Sequence, residues 1–334
     1  MLILGIESSC DDSAAAVIET AAPGVAVVRS STVATQDDIH RAYGGIVPEL
    51  ASRNHLVTIV PVVERALESA GCKLSDIDGI AVTRGPGLTG SLLVGLMFAK
   101  GLAQSTGLPM VGVNHIEGHI LAPLLEHRVA MPYLALVVSG GHTALFSVED
   151  FGSYRMIGRT RDDAAGEAFD KVAKLMGLGY PGGKVIDEMA RRGNRKAVKI
   201  PRAHVRGAPM DFSMSGVKTA VATLLRTPEG AALAPEDLAA SFQEAVVDML
   251  VAPAIAAARA QNADTIVLTG GVAANSRLRE RLAAAAEAEG RRMAAPSFKY
   301  CTDNAAMIAL AGGWRLLRGE RGELTIDAEA NWAL

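Results

Sequence analysis

Cysteine is scarce. Cys10, Cys72 and Cys301 are the only three in 334 residues, widely spaced, odd in number and without a C-x-x-C partner. That excludes a disulfide framework and suits a reducing compartment. Aromatic residues make up only 4% of the chain, and the net charge is only −3, which gives no bulk attraction to nucleic acid. Long hydrophobic runs are missing as well. Asp248 and Pro253 interrupt the most apolar helical stretch before it reaches the roughly 18 residues of a spanning helix. The opening Met1-Leu2-Ile3-Leu4-Gly5-Ile6-Glu7 lacks a basic region and reads as a strand instead of a signal peptide. The expectation is a cytoplasmic protein with no membrane partner. What is abundant is aliphatic: 49% hydrophobic residues against 21% charged, the balance of an ordinary α/β protein long enough for two domains of about 150 residues. One local excess stands out. Residues 191–206 hold seven Lys or Arg and no Asp or Glu, either a phosphate-contacting stretch or a solvated positive face.

The hydropathy pattern repeats. Residues 2–6, 13–18 and 25–33 read as three strands, followed by a helix over about 48–70, a strand at 79–83, a helix over about 89–106 and a short strand before His115. The order then recurs, with strands at 134–138, 143–148 and 155–159, helices to about 260, a strand at 265–268 and a helix after Asn275. Two related lobes follow, each with a parallel-containing sheet covered by helices on both faces. Residues 1–132 with 300–334 are expected to form the first, and residues 133–299 the second.

Asn114-His115-Ile116-Glu117-Gly118-His119 follows an apolar strand. Asn114 is placed to cap a helix, with Glu117 three residues on completing a capping-box pattern. His115 and His119, four apart, then project from one helix face at the spacing of metal ligands. The glutamate is not adjacent to the first histidine, so this is not the H-E-x-x-H motif of zinc peptidases. Three further loops follow apolar strands: residues 7–12, Ser139-Gly140-Gly141-His142-Thr143, and residues 269–275. Their glycines and small hydroxyls sit where open sheets bind ligands and let backbone amides approach a phosphate.

The segments GIESSCDDSA (5–14), RGPGLTGSL (84–92), NHIEGH (114–119), VVSGGHT (137–143), AAGEAFDKVAKLMGLGYPGG (164–183), LTGGVAANSRLR (268–279) and CTDNAAMIA (301–309) carry a resemblance that covers essentially the whole chain. They resemble the bacterial tRNA adenosine threonylcarbamoyltransferase family, TsaD, within the actin, Hsp70 and sugar-kinase superfamily. The resemblance implies a duplicated two-lobe α/β fold with the active site in the inter-lobe cleft. It also implies an acyltransferase that moves the threonylcarbamoyl group from threonylcarbamoyl-AMP to the exocyclic amine of the adenosine immediately 3′ of the tRNA anticodon, releasing AMP.

Carried over residue by residue, the resemblance places metal ligands at His115, His119 and Asp303, a donor set suited to Fe(II) or Zn(II). Asp303 read alone would be a helix N-cap. Substrate contacts fall on Ser139, Gly140, Gly141, His142, Thr143, Asp170, Gly183 and Asn275. Asp170 would otherwise pair with Lys171 or Lys174, and Asn275 would otherwise cap a helix. Asp11 and Asp12 are the candidates for acid/base assistance at the acceptor amine; relatives commonly carry Glu and Thr where this chain has Asp12 and Ser13. Arg84 and the basic residues of 191–206 are candidates for tRNA backbone contacts. Implied helpers are a shorter paralogue, TsaB, and a small P-loop ATPase, TsaE, with ATP or ADP a further occupant of the cleft. Leu56, Val60 and Val63 would form a dimer surface or, by default, core. A metallo-glycoprotease would need a general base and a peptide groove that the sequence does not display. A non-enzymatic actin-like scaffold would not need the histidine pair.

Overall fold

A computed structural model describes residues 1–22 and 25–334. It divides into two compact units, Met1–Arg128 with Pro296–Leu334, and Val129–Ala295. The divisions fall at 128/129 and 295/296, against the 132/133 and 299/300 expected from the sequence.

The first unit runs β1 (Leu2–Glu7), β2 (Ser13–Ala22), β3 (Val25–Ala34), α1 (Asp37–Arg41), α2 (Pro48–Ala70), β4 (Gly79–Gly85), α3 (Thr89–Thr106), β5 (Met110–Asn114) and α4 (His115–Leu121). The second holds β6 (Tyr133–Val138), β7 (Thr143–Asp150), β8 (Ser153–Arg159), α5 (Ala165–Leu175), α6 (Gly182–Ala190), α7 (Ser215–Leu224), α8 (Pro228–Ala231), α9 (Pro235–Ala260), β9 (Thr265–Thr269), α10 (Ser276–Ala288) and β10 (Arg292–Ala294). The chain then returns to the first unit with α11 (Phe298–Cys301) and α12 (Ala305–Leu317).

The sheets share one topology. Their orders are β3-β2-β1-β4-β5 and β10-β9-β6-β7-β8. In each, the opening strand pairs antiparallel with the second on one side and parallel with a later strand on the other. The repeat read from hydropathy is therefore a repeat of architecture.

In the first unit, strand alternation assigns the two faces. Leu4 and Ile6 pack with Ile59, Val62 and Val63 of α2 and Leu96 and Ala99 of α3. Ile3 and Gly5 face α12, where a side chain at Gly5 would collide with the Ala305 carbonyl. A central strand buried on both faces has to be apolar throughout, which explains the continuous run at 2–6. On α2, Val63 joins this core while Leu56 and Val60 are exposed, so the suggested apolar stripe is split between two environments.

In the second unit the long helix α9 is apolar enough over its length to cross a membrane, yet 78% of its apolar window is buried within the protein. Phe242 on α9 meets Phe169 on α5 edge to face, with ring centroids 5.2 Å apart.

Candidate functional site

The carboxyl ends of β1, β4 and β5 converge on one polar cluster in the first unit. Asn114 closes β5 and caps α4, its Oδ1 accepting from the amides of Ile116 (2.9 Å) and Glu117 (3.4 Å). Such a cap contributes about 1 kcal/mol and fixes where the first turn begins. The turn then presents both imidazoles, ring centroids 4.7 Å apart and nearly perpendicular. Glu117 leaves on another side, its carboxylate pairing with Arg315 of α12 at 2.7 Å.

Asp303 lies just before α12. Its expected capping role belongs instead to Asn304, whose Oδ1 accepts from the Met307 amide at 3.0 Å. Asp303 Oδ1 sits 3.2 Å from His119 Nε2 and 3.5 Å from His115 Nε2, and the donor atoms of all three residues lie within 4.8 Å of one another. Ligands about 2.1 Å from one ion stand about 3.0 Å apart at octahedral angles and about 3.4 Å apart at tetrahedral ones. The two aspartate–histidine separations lie at the upper end of that range, so the triad is compatible with a single divalent metal ion.

A residue not singled out in the sequence completes the arrangement. The Glu7 side chain, fully buried at the end of β1, accepts from the Ser9 amide and from Thr83 Oγ1 at 2.6 Å. It also accepts from His115 Nδ1 at 3.0 Å, with Ser9 Oγ 3.2 Å from the same nitrogen. Donation from Nδ1 leaves the Nε2 lone pair toward Asp303, the carboxylate–histidine arrangement that sets the tautomer of a metal ligand. Glu7 was visible only as the first residue of the polar loop at 7–12, and no spacing rule connects positions 7 and 115.

Electrostatics favours a cation here. Burial opposes charge on His115, but Glu7 and Asp303 overcome it and push the imidazole up to about 9. Burial also opposes charge on Glu7, yet the His115 charge and hydrogen bond hold it below the usual carboxylate range. Burial and the charged His115 lower His119. Asp11 and Asp12, in the β1–β2 turn, are raised by burial and then by the negative charge of Asp303, Asp12 to about 8. His55 of α2 ties this turn down: its Nε2 donates to the Cys10 carbonyl at 2.9 Å, and its Nδ1 accepts from Ser13 Oγ at 2.6 Å. Burial and Asp11 raise the Cys10 thiol, so it is no nucleophile near neutral pH.

These shifts fix a pH dependence. A histidine raised to about 9 stabilises the fold fully below its ordinary value, and that stabilisation is lost as pH climbs through 9. An aspartate raised to about 8 acts in the same direction, because its destabilising ionisation is completed only there. The metal-free protein is therefore expected to lose stability between about pH 7 and about pH 9. Zinc, displacing the His115 proton, should bind more tightly over the same interval. Melting curves with and without zinc across that range check this: the zinc-induced rise in Tm should grow with pH, and a rise that shrinks would contradict the assignment.

The remaining predicted residues gather in the second unit, at the carboxyl ends of β6 and β9. Ser139–Thr143 form the β6–β7 turn, closed by Ser139 N to His142 O (2.7 Å) and His142 N to Ser139 Oγ (3.1 Å), with Gly140 and Gly141 exposed. Thr143 Oγ1 accepts from the Ala165 amide at 2.9 Å and so docks the turn on the start of α5. Asp170 turns toward the start of α6, while Lys171 pairs with Asp163 and Glu167. Asp170 Oδ1 accepts from the Gly182 amide at 2.8 Å, which places Gly183 in the first turn of α6 with open space above its Cα. Asn275 caps α10 through Leu278 N (2.9 Å) and donates to Gln243 Oε1 (2.8 Å). Gly270, at φ +92°, passes so close to the Val138 carbonyl that any side chain there would collide with it.

Two tRNA candidates change. Arg84 is engaged within the first unit, donating to the Asp327 carbonyl at 2.8 Å and lying 5.0 Å over the Trp332 ring. In residues 191–206, Arg191, Arg192, Arg195 and Arg202 meet Asp187, Glu236, Glu280 and Asp248. Asp187 lies four residues before Arg191, the other three acids come from later parts of the sequence, and together they match much of the local charge, leaving Lys196, Lys199 and Arg206 as exposed cations.

Comparison with known proteins agrees with this architecture. Residues 27–310 match the family model TsaD, tRNA N6-adenosine threonylcarbamoyltransferase. Proteins of that name from Anaeromyxobacter dehalogenans (54% identical, 99% of each chain), Syntrophotalea carbinolica (51%, 100% of this chain and 97% of the relative) and Clostridium perfringens (51%, 100% and 98%) align over nearly their whole lengths. Among solved structures, full-length HypF superposes with a TM-score of 0.64 at 13% identity, over 96% of this chain and about half, 47%, of that one. The activator of 2-hydroxyisocaproyl-CoA dehydratase from Clostridium difficile gives 0.54 at 14% identity, over 97% and 99%. Both likenesses concern the fold, which is that of the two-lobe actin, Hsp70 and sugar-kinase superfamily. With its family model and near-full-length relatives in agreement, the chain belongs to the tRNA N6-adenosine threonylcarbamoyltransferases, a family of transferases.

Proposed function

We propose that the chain transfers a threonylcarbamoyl group from threonylcarbamoyl-AMP to the exocyclic amine of the adenosine 3′ of the tRNA anticodon, releasing AMP. The observation that carries this reading is the triad of His115, His119 and Asp303, with Glu7 setting the tautomer of His115. His115 Nε2, His119 Nε2 and the Asp303 carboxylate would hold Fe(II) or Zn(II), which both accept two imidazoles and one carboxylate. When bound, such an ion supplies polarisation of the acyl carbonyl and neutralises the surrounding carboxylates.

The chain's own residues then divide the work. The Ser139–Thr143 turn offers backbone amides and hydroxyls to the adenylate phosphate. Asp170, Gly183 and Asn275 stand around the helix starts that would receive its nucleoside. The acceptor amine is a weak nucleophile that must lose a proton, and Asp12, with Asp11 beside it, is a carboxylate displaced toward neutral pH, where a general base works best. We assign the protein to the cytoplasm on chemical grounds, from its tRNA acceptor and three free thiols. TsaB-like and TsaE-like helpers, and ATP or ADP between turnovers, belong to this proposal.

Reconstitution with synthetic threonylcarbamoyl-AMP and tRNA tests it. Equimolar AMP and modified adenosine are expected; AMP release without tRNA modification would contradict it. For the tRNA interaction, replacing Lys196, Lys199 and Arg206 with Gln is expected to weaken binding and lower the salt slope by about one for each phosphate no longer neutralised. An unchanged slope would mark that surface as a solvated face.

A further inference from the structure

Segment 327–332 makes an unusual series of contacts for a stretch without regular secondary structure. The Glu329 amide donates to the Arg84 carbonyl at the end of β4 (2.9 Å), and the Gly87 amide donates to the Ala330 carbonyl (3.1 Å). Arg84 returns the grip, through Nε to the Asp327 carbonyl, Nη2 to Glu329 at 3.3 Å and its guanidinium over Trp332. The crossing is so close at Gly85 that any Cβ would collide with the Glu329 carbonyl oxygen.

Two of these contacts lead into the metal cluster. Asn114 Nδ2 donates to the Trp332 carbonyl at 3.2 Å, while the same side chain's Oδ1 caps the helix carrying His115 and His119. On the other side, Gly87 backs directly onto Ser9, and the Leu88 amide donates to the Ser9 carbonyl at 2.7 Å. Ser9 in turn touches both Glu7 and His115. An amide bonded at both ends has one orientation available, so the strap bears on where α4 starts as well as on the Glu7–Ser9 turn.

We infer that segment 327–332 is a positioning strap, clamped by Arg84, that holds the two imidazoles and their orienting carboxylate in metal-binding geometry. The inference rests on the proposed metal site. It also gives Arg84 a role distinct from contacting tRNA phosphates.

The test compares zinc affinity, by competition with a chromophoric chelator, for the full chain, a chain ending at Ile326 and Arg84→Met, alongside thermal melts. Removing partners that orient ligands lowers metal affinity by about 10–100-fold. The shortened chain is expected to show a loss of that size, and Arg84→Met a smaller loss with its cooperative melt retained. Should the shortened chain lack a cooperative transition, Arg84→Met in the full-length chain decides. Full-chain affinity in both variants overturns the strap alone. So does unchanged zinc affinity with weakened tRNA binding in Arg84→Met, the signature of a phosphate contact. A full chain that binds no zinc overturns the metal site, and the strap with it.

Discussion

Asp303→Asn is expected to abolish transfer while making the metal-free protein more stable at alkaline pH. Of the three proposed ligands, Asp303 is the most exposed, at 25% of its side chain, and it is not the cap of α12. Its replacement therefore removes a ligand with little damage to the core. Its negative charge raises Asp11 and Asp12 and opposes ionisation of Glu7. Removing that charge relieves this repulsion but also removes its attraction for protonated His115, so the relief is net only above about pH 9, where His115 is neutral. Activity should fall by about 10³-fold or more, since the polarisation of the acyl carbonyl that an ion held there would supply is lost with it. The metal-free Tm at about pH 10 should rise, because Asp12 is then ionised and His115 no longer carries the charge that Asp303 stabilises. Quantifying modified adenosine by mass spectrometry, alongside melts of the chelator-treated variant, reads both. Normal tRNA modification would remove Asp303 from the chemistry, and a lowered Tm would contradict the electrostatic account.

Glu7→Gln is expected to have the second largest effect, although it changes one atom in a fully buried side chain. The amide replaces an anion by a group with a donor as well as an acceptor. His115 then loses its strongest source of positive-charge stabilisation, and its imidazole is free to adopt the tautomer that carries the proton on Nε2. Either outcome reduces ligation. Metal affinity should fall by about 10–100-fold, and the His115 titration should move down from about 9. Chelator competition and NMR titration of the imidazole measure these effects. A variant that kept both the affinity and the elevated titration would show that Thr83, Ser9 and the backbone suffice to orient the ring.

The parts of this architecture legible in the sequence were those written in local periodicity. The apolar run at 2–6 belongs to a strand covered by α2 and α3 on one face and α12 on the other, so it has no polar positions to hide it. The helix start at Asn114 was legible because a cap acts over three residues. Side-chain pairing across sequence was not. Glu7 meets His115 across 108 positions, and Arg84 meets Asp327 across 243. The basic run at 191–206 displayed its cations together, while Glu236, Asp248 and Glu280, which pair with three of them, were scattered further along the chain. Asp303 and Asn304 are both capable caps at adjacent positions. The choice between them depends on where α12 begins, and the structure gives the cap to Asn304, leaving the aspartate toward the histidines.

The most direct measurement is anomalous X-ray diffraction from crystals of the full chain grown with zinc or, anaerobically, with iron(II). The account predicts one peak about 2.1 Å from His115 Nε2, His119 Nε2 and the Asp303 carboxylate, lost in Asp303→Asn crystals. A metal peak elsewhere, with none beside these three side chains, would contradict it.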